Sequence, residues 1–349
     1  ASLAFAAAIL IRLYNEVWSN TAVVGGYFGL PGEWEYYAAA MLFTVFTLAY
    51  SLKGGLRSSI FTDVIQAFVF VFFVGAVLFL IIPANDTSAL LTNGEFRLNA
   101  GFDLLLVALL QLFSYPFHDP VLTDRGFVNK EKTMLKSFVV AGLLGFVAVF
   151  IFSLVGVHAR LNGIEAMGNA PAAVGQSLGL AALFFMSVVM MTSAGSTLDS
   201  TFTSLAKSLA VDLPRLAQRA SDKLPSMRVG AVVMVIFAFL GNLPMFAGTD
   251  ILKATTISGT MGMGLAPVVL FSGFTKWSPW SFHLSFWTGL GLGVLLAVGL
   301  IPASWAIGDG KYAMLLGVNA YGFLICTAGF FVPLVVSRFA RRSFLPESR

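Results

Sequence analysis

Between Ser193 and Asp212 the chain reads SAGSTLDSTFTSLAKSLAVD, directly after the apolar run AALFFMSVVMM. At about 100° per residue, Ser193, Ser196, Thr197, Ser200 and Ser204 fall within an arc of roughly 100°, one stripe of oxygens on an otherwise apolar helix. Asp199 flanks that stripe. A carboxylate at membrane depth costs on the order of 3 kcal/mol or more, so it belongs with a partner or a function. Hydroxyls beside one acid suit a small, hard, positive ion. The alternative is structural, because Ser and Thr also bond across packed membrane helices and back to their own carbonyls.

Other polar residues interrupt the apolar runs. In RLYNEVWSNT, Arg12, Asn15, Glu16, Ser19 and Asn20 recur at three and four and share one face of a helix. Arg12 and Glu16 are spaced for a direct ion pair, serving as a lock between helices or as part of a polar wall on a substrate path. In SLKGGLRSSIFTDVIQ the two glycines permit a tight turn, and Asp63 is expected in the opening turns of the helix that follows, where the dipole favours negative charge. That position suits an interfacial acid as well as a functional one. In YPFHDPVLTDR, Pro116 and Pro120 should kink or break a helix near His118 and Asp119. Such breaks at membrane depth are tolerated where the freed backbone is buried or lines a cavity. His118 and Asp119 are two metal-ligand types without a third, and Asp119 is open to either a cavity or a neighbouring helix. ILKATTISGTMGMGLAPVVLF carries Thr255, Thr256, Ser258 and Thr260, then Gly262 and Gly264 before Pro267, and reads as a second interrupted span. Interruptions of this kind point to a binding site at the bilayer midplane, although close helix packing accounts for part of the glycine content.

The elements that must position these residues are membrane helices. The 349 residues are 58% hydrophobic and 11% charged, with a mean hydropathy of +0.86, outside the range of water-soluble domains. Hydropathy places ten spans at Ala1–Phe28, Trp34–Leu52, Ile60–Ile82, Phe102–Val121, Lys136–Val157, Leu178–Val211, Val229–Phe246, Ile251–Phe274, Phe282–Pro302 and Tyr312–Val336. Sixteen of the 21 Lys and Arg residues then fall on one side, Lys53, Arg57, Arg125, Lys207 and Arg228 among them, against Arg97, Arg160, Lys253 and Lys311 on the other. Arg12 lies within the first span. This bias orients both ends of the chain to the cytoplasm and leaves no basic patch for nucleic acid. A single cysteine, Cys326, excludes an internal disulfide framework and a cysteine-rich metal site. No nucleophile and base pair, phosphate loop or metal motif is present, so the residues describe no enzyme and no bound cofactor. The expectation is one transmembrane domain over 1–349, opening at Ala1 inside an apolar run and therefore incomplete at its N-terminus.

Three segments resemble the sodium:solute symporter family, which includes sodium/proline and sodium/galactose symporters. GGLRSSIFTDVIQ resembles the family's GGL...TD..Q, STLDSTFTSLAKSLAVD is similar to its SSADSTLLSASSLFTRD, and GLAPVVLFSGFTK is similar to GPVVLFSLFWK of the proline branch. DPVLTDRGF matches that branch's QPHILARF at Pro120 and Arg125 but has Asp119 where Gln is usual. The resemblance implies an all-α integral membrane protein, part of a five-plus-five inverted repeat of the leucine-transporter type lacking its first two core helices. It implies a main sodium site using the hydroxyls of Ser196 and Thr197 and the carbonyl of Ser193, and a second cation site or path at Asp63, Asp199 and Ser200.

Together these readings give a sodium-coupled symporter of a small organic solute, an amino acid such as proline by resemblance, working by alternating access in a lipid bilayer. Its expected place is the bacterial cytoplasmic (inner) membrane. Substrate-cavity candidates are Glu16, Tyr115, His118, Asp119 and Thr256. A transporter-like sensory domain of a signalling protein is the alternative.

Overall fold

The computed structural model describes residues 2–127, 129–165, 169–216, 227–247, 251–271 and 278–343, and contains no strand among them. In chain order the helices are α1 (Ser2–Gly25), α2 (Trp34–Ile81), α3 (Thr87–Thr92), α4 (Phe102–Gln111), α5 (Pro120–Phe127), α6 (Glu131–Leu161) and α7 (Ala170–Ser177). They continue with α8 (Leu180–Lys207), α9 (Leu213–Leu216), α10 (Met227–Leu240), α11 (Ile251–Gly262), α12 (Leu265–Phe271), α13 (Pro279–Ala297) and α14 (Ala313–Ser343).

Burial is inverted relative to a water-soluble protein. Arg12, Thr44, Thr47, Asp199, Ser200, Thr201, Asn242 and Asn319 are buried, whereas Phe68, Phe72, Leu143, Phe146 and Leu324 are 64% to 75% exposed. Six helical segments among the described residues are long and apolar enough to cross a membrane: Ser59–Ile81, Glu131–Leu161, Leu180–Leu216, Met227–Phe246, Pro279–Ala297 and Ala313–Val336. Polar groups inside and apolar groups outside are what a lipid solvent selects, so this is the pattern of an integral membrane protein.

The other four expected spans take different forms. The first is the single helix α1, with a polar middle. The fourth breaks as the two prolines require: α4 stops at Gln111, a 3-10 turn covers Tyr115–Phe117, and α5 starts at Pro120. The eighth divides into α11 and α12 at Met263 and Gly264, and its last residues, Ser272, Gly273 and Phe274, lie outside the described residues. So do 217–226, which include Arg219 and Lys223.

The tight turn expected at Gly54 and Gly55 does not form. Helix α2 runs unbroken for 48 residues, about 72 Å at 1.5 Å per residue, so Asp63 sits in mid-helix and not in an opening turn. Glycine permits a turn without imposing one, and its helical penalty of about 1 kcal/mol is small beside packing along a long neighbour. Here that neighbour is α8, the main partner of α2. The spans expected at Trp34–Leu52 and Ile60–Ile82 are thus one helix, and the alternation of charge expected across a turn between them is absent.

The described chain forms two compact units. The first comprises Ala1–Arg12, Glu95–Thr123 and Asp250–Arg349. In it α13 packs along α14, α11 leans on α13, and Met263, Leu292 and Val318 form a shared core. The break between α11 and α12 is seated directly on α13: Ser285 Oγ donates to the Gly264 carbonyl at 2.6 Å, and a Cβ at Gly289 would strike the backbone of Gly264.

The second unit comprises Leu13–Gly94 and Asp124–Thr249. Val77, Ile81, Val155, Val174 and Met186 join α2, α6, α7 and α8 in one core. Asn242, just beyond α10, accepts from the Thr21 hydroxyl of α1 and donates to Thr44 Oγ1 of α2 at 3.2 Å. Gly195 lets α2 approach α8, since a Cβ there would lie 3.3 Å from the Gln66 amide and 3.5 Å from Phe43.

Candidate functional site

In the second unit, the inner face of α2 and the hydroxyl stripe of α8 meet around two carboxylates. Ser59, Thr62 and Asp63 lie at i, i+3 and i+4 and so share one face of α2. Opposite them, Asp199 is fully buried and accepts three hydroxyl hydrogen bonds: Ser59 Oγ donates to Oδ1 at 2.7 Å, Ser200 Oγ to Oδ1 at 3.2 Å, and Thr62 Oγ1 to Oδ2 at 3.1 Å. Asp63 accepts from the Ser196 hydroxyl through Oδ1, and its Oδ2 pairs with Arg125 Nη2 at 2.6 Å. The same Nη2 donates to Ser200 Oγ at 2.5 Å. Two acids, one guanidinium and a set of hydroxyls are thereby linked in one network, buried at Asp199, Ser200 and Ser59 and partly open at Arg125.

Arg125 is placed by α5. Pro120 occupies the first helical position, where its missing N–H is not needed, and Asp119 Oδ1 accepts from the Val121 amide at 3.0 Å as the helix cap. Five residues later Asp124 and Arg125 point to different partners, Lys207 at 2.8 Å for Asp124 and Asp63 for Arg125.

The expected residues of the main sodium site are divided. Ser196 joins the Asp63 network. Thr197 donates instead to the Ser193 carbonyl at 3.3 Å, one turn back on the same helix, and Thr201 does the same to Thr197 at 2.8 Å. Ser193 itself is exposed. Asp63, Asp199 and Ser200, the residues of the expected second cation site, are brought within one hydrogen-bonded cluster. Past Lys207 the stripe ends in a π-helical turn, Ser208–Asp212, a rare local geometry that recurs at functional sites.

Of the cavity candidates, Tyr115, His118, Asp119 and Thr256 belong to the first unit and Glu16 to the second. Arg12 donates to the Tyr115 hydroxyl, its guanidinium lies 4.5 Å from the centre of that ring, and Asp119 is 3.7 Å away. His118 is buried, contacts the Ser114 carbonyl through Nδ1 at 3.2 Å, and borders a cavity of about 10 Å³ with Ser258 and Gly262, room for one water. The Thr256 carbonyl accepts from Gln111 Nε2 at 3.0 Å. Glu16 accepts from Asn20 Nδ2 at 3.1 Å within its own helix. Among the described residues no three His, Cys, Asp or Glu side chains gather as metal ligands.

Several participants were not singled out from sequence. Ser59 and Thr62 carry a readable signal, the three-and-four spacing with Asp63. Arg125 enters the sequence reading as an orienting charge and as a match to the proline branch, but no local pattern ties it to an acid 62 residues earlier. Gln111 and Asn319, which bond each other at 3.2 Å and both reach Thr260, lie in apolar stretches with no motif to mark them.

Asp63, with the GGL segment before it and Gln66 after it, falls in the part of the chain with a known counterpart. Residues 1–93 match the sodium:solute symporter family. The match covers the Gly54–Gln66 segment, while the Ser196–Asp212 and Gly264–Lys276 segments lie beyond it. No curated protein matches the chain. The symporter match supports sodium-coupled solute transport as the general function, and a transporter in preference to an enzyme.

Proposed function

We propose that this chain is part of a sodium-coupled symporter that moves a small organic solute, an amino acid such as proline in the first instance, by alternating access. The observation that carries the reading is the buried pairing of α2 and α8: the Asp63 segment falls within the symporter match, and it faces the acid and hydroxyls of α8. Hydroxyls at three and four spacing present oxygen ligands to a hard cation from one helix face, without the desolvation of a full carboxylate pair. In this reading Ser193, Ser196 and Thr197 form the main sodium site, with Thr197 exchanging its bond to the Ser193 carbonyl for a bond to the ion. Asp63, Asp199 and Ser200 form a second stop on the ion path. Tyr115, His118, Asp119, Thr256 and Glu16 are proposed to line the solute path. The fold is proposed to be part of the five-plus-five inverted repeat, one transmembrane domain in a bacterial inner membrane, with the second and third expected spans joined as α2.

The test is sodium-dependent uptake by the full-length protein in proteoliposomes. Thr197→Ala should raise the sodium concentration for half-maximal uptake about tenfold or more, equivalent to roughly 1.4 kcal/mol of coupling. Unchanged sodium dependence removes Thr197 from the site. Sodium binding with no solute flux in the unsubstituted protein would favour a sensory domain over a carrier.

A further inference from the structure

The position between Asp63 and Ser200 already holds a positive charge. Arg125 Nη2 lies 2.6 Å from Asp63 Oδ2 and 2.5 Å from Ser200 Oγ, so one cationic nitrogen occupies the point shared by two of the three residues assigned above to the second cation. A sodium ion bound by both oxygens and this nitrogen cannot be present together. We propose that Arg125 is a tethered surrogate cation, which holds the Asp63–Ser200 position when sodium is absent and is displaced from it when sodium binds. The inference rests on the sodium-transport reading of this site.

Charge, mounting and bonding all favour exchange over a permanent clasp. Asp63, Asp199 and Arg125 sum to one negative charge, and replacing the guanidinium with one sodium leaves the same sum. The field inside a low-dielectric helix pair is therefore unchanged by the swap, whereas losing sodium without a substitute would leave two carboxylates uncompensated. Arg125 is carried on the eight-residue α5, which begins after a chain break in regular helix. Its side chain is 35% exposed against 17% for Asp63, so a released guanidinium has a path to water that the carboxylate lacks. The pairing is also incomplete. Both contacts run through Nη2, and Nε is buried with no hydrogen-bond partner among the described residues, unlike the two-nitrogen fork that locks an Arg–carboxylate pair. A separate contact, Lys207 Nζ to Asp124 Oδ1 at 2.8 Å, also joins α5 to the end of α8 and does not depend on Arg125.

The experiment is equilibrium binding of radioactive sodium to the purified full-length protein without solute. Arg125→Gln removes the competitor and should tighten apparent sodium affinity about tenfold. Arg125→Lys, which keeps the charge, should shift it less, and Asp63→Asn in the Arg125→Gln background should abolish the gain. In proteoliposomes Arg125→Gln should lose net uptake, because the sodium-free carrier no longer has a charge to accompany Asp63. Unchanged or weaker sodium binding by folded Arg125→Gln overturns the proposal. Should that variant not fold, the unsubstituted protein decides: sodium, and not choline, should increase phenylglyoxal modification of Arg125, and equal labelling in both salts overturns it. If neither the unsubstituted protein nor Arg125→Gln binds sodium, the transport reading itself fails, an outcome distinct from sodium binding that ignores Arg125.

Discussion

A methyl group at position 262 has no room. The Cβ of an alanine there would stand 2.5 Å from the His118 ring, and that ring is buried against the Ser114 carbonyl. Gly262→Val should destabilise the protein by about 1–3 kcal/mol through overpacking, read as a lower thermal midpoint in detergent. Adding His118→Ala should restore part of the loss, because the two side chains compete for one space. Equal midpoints for Gly262→Val and the unsubstituted protein would mean that His118 does not hold this position. On α8 the same scale separates hydroxyls by task. Ser200 and Ser59 serve a buried acid, while Thr197 and Thr201 donate to carbonyls of their own helix.

The elements place these residues with two devices, a broken helix and an unbroken one. Pro116 and Pro120 end α4 early and begin α5 afresh, which lets Asp119 cap and Arg125 reach across to α2. Conversely, α2 passes through Gly54 in helical geometry and so carries Ser59, Thr62 and Asp63 in fixed register against α8. Gly54→Ala then gains about 0.5–1 kcal/mol, since alanine loses less freedom than glycine in a helix. Thermal unfolding checks this, and a clear loss of stability would instead indicate a turn with a left-handed residue at that position.

For the whole molecule, the inverted burial pattern sets the behaviour in lipid. Helix α6 exposes Leu135, Leu143, Leu144, Phe146 and Val149, each at least 64%. Such a surface is stable only against acyl chains or detergent. The protein should stay in the membrane pellet after alkaline carbonate washing, and release into the supernatant would contradict a spanning arrangement.

What sequence alone determined was the solvent of the protein and the residue types of the site. Apolar runs of about 20 residues cannot fold in water as they stand, and Asp199 among hydroxyls on one helical face is readable because helical period is a local property. The breaks near His118 and Gly264 were equally legible, for proline acts on its own backbone. The continuity of α2 was not, because glycine leaves helix and turn close in energy and packing along α8 settles the choice. Nor was the role of Arg125, because pairing a guanidinium with a carboxylate 62 residues away depends on where α5 docks against α2 and α8, which no local pattern encodes.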